Sequence, residues 1–107
     1  MELEGKQYRM WAVKRLREQD QTIYYWGISP HKRYTECFVL KDGVLVDVEV
    51  TIDPQGTYWA MYRIKEDKIN MIYPSKNLFD VCFPYGPEAE EKLERGKIVK
   101  CTVKEVN

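Results

Sequence analysis

Residues 44–52, Val-Leu-Val-Asp-Val-Glu-Val-Thr-Ile, alternate strictly between two chemistries. Val44, Val46, Val48, Val50 and Ile52 fall on one face of an extended chain, and Leu45, Asp47, Glu49 and Thr51 fall on the other. A period of two with β-branched residues at every second position suits only a strand with one buried and one wet face. The chain around it must therefore supply neighbouring strands and a second apolar layer.

The flanking segments supply candidates. Residues 35–40 lead through Lys41-Asp42-Gly43 into this strand, and Asp-Gly favours the two-residue turn of a hairpin. Asp53-Pro54-Gln55-Gly56 reads as the next turn, with proline fixing φ and glycine easing the exit. Residues 57–64 and 69–73 form two further β-rich runs joined at Glu66-Asp67-Lys68. These features predict a four-stranded antiparallel meander over residues 35–73. Residues 97–106 alternate again, with Val99, Cys101 and Val103 on one side.

Pro87 to Arg95 carries the signature of a short helix: proline at its first position, acids early, Arg95 late, and Gly96 as its stop. Residues 75–84 are too apolar for a free loop and are expected to pack on the sheet as a helical turn and a short strand. In the first third, residues 22–28 are β-branched and aromatic and read as a strand. Residues 6–16 fit a strand, and residues 11–19 fit a helix; two strands are the preferred reading. The fold class is mainly β (α+β): a small antiparallel barrel or curved sheet of six to seven strands with one short C-terminal helix over residues 87–95. All 107 residues are read as one domain.

Composition excludes several functions. Seventeen basic and seventeen acidic residues give zero net charge, which is wrong for a polybasic or a wholly acidic chain. No apolar run approaches the roughly 18 residues of a membrane span. Cys37, Cys82 and Cys101 are odd in number and lack metal-ligand spacing. They read as small buried hydrophobes in a reducing, cytoplasmic protein. No phosphate loop, serine elbow, HExxH or CxxC is present, and no motif calls for a cofactor or a metal.

Charge and aromatic placement leave three functional classes. Residues 1–34 carry seven basic against four acidic residues, and residues 35–107 carry ten against thirteen. The same N-terminal third holds Tyr8, Trp11, Tyr24, Tyr25, Trp26 and Tyr34. On residues 58–64, Tyr58, Ala60, Tyr62 and Ile64 form one face and Trp59, Met61 and Arg63 the other. If the first face is core, the second offers residue types enriched at interface centres.

The leading expectation is a non-enzymatic interaction protein. It docks a protein partner, as an inhibitor or adaptor of the phage or mobile-element accessory type, through Trp59, Met61 and Arg63 with Trp26 and Arg33 beside them. The alternative is a small β-barrel binding single-stranded nucleic acid through Tyr24, Trp26, Arg15, Arg17, Lys32 and Arg33, rings for bases and cations for phosphates. A small hydrolase or nuclease is the third class. It would need the lone His31, or the Asp47 and Glu49 pair, whose carboxylates lie roughly 6.5 to 7 Å apart along one strand face. A solvated turn and a wet strand face explain those residues more simply.

Overall fold

A computed structural model describes residues 2–40, 42–82 and 96–106. Six strands form one antiparallel sheet: β1 (Gln7–Leu16), β2 (Ile23–Ser29), β3 (Val44–Ile52), β4 (Tyr58–Arg63), β5 (Lys68–Tyr73) and β6 (Gly96–Glu105). Two short helices accompany them, α1 (Lys32–Glu36) and α2 (Lys76–Cys82). The expected helix over 87–95 lies outside the described residues. The strand order is β2-β1-β3-β6-β4-β5, and the edge strands β2 and β5 come side by side, so the sheet curls into a nearly closed barrel.

Alternation predicts most of the interior, although Val44 and Ile64, at the ends of their buried faces, are exposed. Met10 and Ala12 from β1, Val48, Val50 and Ile52 from β3, Tyr58, Ala60 and Tyr62 from β4, and Val99 and Cys101 from β6 pack into one core. Burying aliphatic and aromatic side chains of this kind stabilises the fold by roughly 1.5–3 kcal/mol each. β1 is a strand along its whole length because β3 pairs with its first part and β2 with its last, Met10 opposite Val48 of β3 and Val13 opposite Trp26 of β2. A helix over residues 11–19 would forfeit both ladders.

The meander over 35–73 does not form as expected. Residues 32–36 are helical, and β3 pairs with β1 and β6 instead of with a preceding hairpin arm. Gly43 lacks the positive φ that the expected turn requires. Thr35 explains the departure. It is fully buried, and its Oγ1 donates to the Gly27 carbonyl at 2.7 Å, tying α1 down onto the outside of β2. β4 is likewise separated from β3 by β6, which inserts between them. Only the β4–β5 hairpin of the expected meander survives as drawn.

The cysteines also depart from expectation. Cys101 is buried, but Cys37 and Cys82 are exposed. Cys37 follows α1 and Cys82 ends α2, both on the outside of the barrel, so their apolar neighbours in sequence do not enclose them.

Candidate functional site

The outer face of the barrel is where the two helices leave space. Side chains at alternate positions on β2 place Tyr24 and Trp26 outward, half-buried. On β1, Arg15 pairs opposite Tyr24 and shares that face. α1 and the chain after it cover one flank, and α2 covers the other. The Trp26 and Tyr73 rings meet across the seam between β2 and β5, 5.7 Å apart and tilted. Inside the seam, the Tyr25 backbone N–H donates to the Tyr58 hydroxyl at 2.9 Å. An edge amide with no strand to pair with is thereby satisfied. Burial pushes the Tyr58 hydroxyl above its ordinary pKa, against a smaller opposing effect of that same amide.

A cleft of about 840 Å³ opens beside Trp26. Arg15, Arg17, Tyr24, Trp26, Leu40 and Leu78 are among its walls. Arg15 Nη2 donates to the Phe38 carbonyl at 2.7 Å, which holds the approach to Leu40 against β1. Arg17 Nη1 lies 3.7 Å from Asp20 Oδ2 across the β1–β2 turn. Glu18 and Asp42 also reach the cleft, so its charge is mixed. Its rim is apolar and open: Leu16 is 51%, Leu40 62% and Leu78 38% exposed. Isolated exposed leucines are ordinary, but three around one aromatic cleft make a patch.

The structure brings together Arg15, Arg17, Tyr24 and Trp26 from the residues expected to bind nucleic acid. It places the other two, Lys32 and Arg33, on α1, with the Lys32 ammonium 4.9 Å from the centre of the Trp11 ring. The face expected to dock a protein is organised differently. Met61 is fully buried against Phe79 of α2 and offers no surface. Trp59 is half-buried, with the ammoniums of Lys76 and Lys100 at 5.4 and 5.3 Å from its ring centre. Arg63 Nε donates to Asn70 Oδ1 at 3.2 Å. α2 therefore turns this expected outer surface into a second, smaller core. Nothing in residues 58–63 could announce that, because the cover comes from a segment about fifteen residues later.

Neither hydrolytic candidate is assembled. Arg9 grips Asp47 with both ends of its fork, Nη2 to Oδ2 at 2.7 Å and Nε to Oδ1 at 3.3 Å. Those hydrogen bonds hold the Asp47 carboxyl below its ordinary pKa, which opposes a proton-donating role. His31 is exposed at the start of α1, where its backbone N–H donates to Ser29 Oγ at 3.0 Å. Among the described residues, no group of three or more His, Cys, Asp and Glu side chains could hold a metal ion. No helix of the described residues is long and apolar enough to cross a membrane.

A tighter polar cluster lies at one end of the barrel. Asp67 Oδ1 accepts from Tyr62 Oη at 2.6 Å, from Lys6 Nζ at 2.7 Å and from Tyr8 Oη at 3.3 Å. The Lys6 hydrogen bond, followed by that from Tyr62, lowers the Asp67 carboxyl pKa, and the same contact raises that of Lys6. The cluster fastens the N-terminal segment to the β4–β5 turn. Sequence reading missed it, since its members are scattered over 61 positions.

Comparison with known protein families, with curated proteins and with solved structures gives no match for this chain.

Proposed function

We propose that this chain is a non-enzymatic binding domain that docks a protein partner in the cleft beside Trp26. The observation that carries the reading is the combination of walls: two aromatic rings and two arginines inside an exposed aliphatic rim. Tryptophan, tyrosine and arginine dominate the energetic centres of protein interfaces, and a surrounding apolar ring excludes water from them. The partner segment that fits presents a carboxylate flanked by apolar side chains, the first toward Arg17 and the others toward Leu16, Leu40 and Leu78. The docking surface is thus moved from Trp59 and Met61 to the other side of α2, with Trp26 retained.

Selection of peptides from a displayed random library on the intact protein tests this. Enriched sequences should carry an acidic residue beside apolar ones. Arg17→Glu, and separately Leu40→Ser with Leu78→Ser, should weaken them at least about tenfold, the loss of one strong interface contact. All three positions are exposed, so stability should change by less than about 1 kcal/mol. Selected peptides that bind wild type and variants equally would remove the cleft from the reading.

The clustering of Arg15, Arg17, Tyr24 and Trp26 supports single-stranded nucleic acid as the second reading. Glu18 and Asp42 in the same cleft count against it, as does the commitment of Arg15 to the Phe38 carbonyl. Binding of an oligothymidylate that weakens steeply with salt, and is lost in Arg17→Glu, would favour it over a protein partner.

A further inference from the structure

A second cavity is also lined by Trp26, and it differs in kind. Its volume is about 650 Å³, within the ordinary range of small-molecule sites. Trp26, Tyr34, Phe38 and Tyr73 supply its rings together with the exposed His31 imidazole, and Ser29 and Asn70 supply further side-chain polar groups. None of its described lining residues is Lys, Arg, Asp or Glu, although such residues make up 32% of the chain. The cleft beside it, by contrast, carries charges of both signs.

Two backbone irregularities create this cavity. Between Trp11 and Val13, β1 advances two residues while β2 advances three, from Ser29 back to Trp26. Between Trp59 and Met61, β4 advances two residues while β5 advances three, from Tyr73 back to Asn70. Each edge strand therefore carries one extra residue, a bulge, and the two bulges line one cavity. Each also contains a left-handed residue, Gly27 at φ 59° and Met71 at φ 54°. Glycine takes that conformation freely, and here it must: a Cβ on Gly27 would lie 2.8 Å from the Phe38 ring. Methionine does so at a cost of about 1–2 kcal/mol. Bulges interrupt regular pairing, and edge strands turn half their backbone donors and acceptors away from their single neighbour.

We propose that this cavity binds a neutral, planar heteroaromatic small molecule, lying against the Trp26, Tyr34 and Tyr73 rings with its in-plane nitrogens hydrogen-bonded to Ser29, Asn70 and the bulged backbone. The ring faces favour a flat π-system. Asn70 Oδ1 already accepts from Arg63, which directs the amide's two N–H donors to other acceptors. An anion or cation is disfavoured, because no described Lys, Arg, Asp or Glu lines the cavity to offset the hydration that an ion loses on entering. The proposal rests on a cavity separate from the docking cleft, so either can fail without the other.

Titration of the isotope-labelled intact chain with benzimidazole, followed by amide and indole NMR shifts at neutral pH, tests it. Saturable shifts are expected at the Trp26 indole and at Ile28, Ser29, Asn70 and Met71. The same ring carrying a carboxylate should bind at least about tenfold more weakly. Tyr34→Ala removes an exposed wall and should weaken binding about fivefold with the β3 and β6 amides unmoved. Cys82→Phe, at an exposed rim position, should fill the cavity and block binding. No shift at about 10 mM benzimidazole, equal binding of the carboxylate, or shifts centred on Arg15 and Tyr24 would each overturn the proposal.

Discussion

Replacing Tyr58 by Phe removes one oxygen atom and tests what holds the barrel's two edges together. The ring of Tyr58 is 9% exposed and remains in the core in the variant. The lost hydroxyl is the acceptor for the Tyr25 N–H on the edge strand β2. A buried donor left without its acceptor costs roughly 1–3 kcal/mol, whereas removal of both partners would cost little. Tyr25 is half-buried, so water can repay part of the loss, which places the cost near 1.5 kcal/mol. At about 4 °C per kcal/mol for a chain of this length, the melting temperature should fall by about 6 °C. Native-state hydrogen exchange gives the sharper reading: the Tyr25 amide should exchange about tenfold faster, while amides of β3, paired on both sides, speed up no further than the loss of global stability requires. A melting temperature within about 1 °C of wild type, with Tyr25 exchange unchanged, would show that the hydroxyl does not latch the seam.

Two further perturbations probe the frame around it. Gly56→Ala would drive a Cβ into the Cys101 carbonyl group, so β6 must move; a loss of about 3 kcal/mol in urea unfolding is expected, and less than about 1 kcal/mol would refute the contact. The Asp67 cluster predicts a pH dependence with a definite sign. Because folding lowers the Asp67 carboxyl pKa from its ordinary 3.8, its contribution is complete above that value and is lost as pH falls through the lowered one. The contribution of Lys6, whose pKa is raised, is kept up to 10.5 and lost above it. The melting-temperature gap between wild type and Asp67→Asn should therefore be widest between these limits and narrow toward strong acid; a gap that persists in strong acid would contradict the pairing.

How much of this was legible in the chain divides by the range of the interactions involved. Period-two alternation is a local property, and it correctly assigned β3 and β6, the β4–β5 hairpin and the inward faces of Tyr58, Tyr62 and Cys101. The turns at residues 53–56 and 66–68 were equally local; the Gly56 N–H donates to the Asp53 carbonyl at 2.9 Å, as the Pro-Gln-Gly spacing implies. The Arg15, Arg17, Tyr24 and Trp26 set was visible because all four sit on one hairpin, where spacing alone places them on a shared face or at the adjoining turn.

By itself, then, the sequence determined that this is a small antiparallel β protein, which faces of β3, β4 and β6 carry its core, and where rings and arginines gather. Tertiary structure alone decided that β6 enters between β3 and β4, that residues 32–36 coil into a helix, and that Met61 is sealed while Leu40 and Leu78 are left open. The reason is physical. An outward-facing side chain on a strand is neither core nor surface until something distant covers it, and α1 and α2 make that choice through the contacts of Thr35 and Phe79.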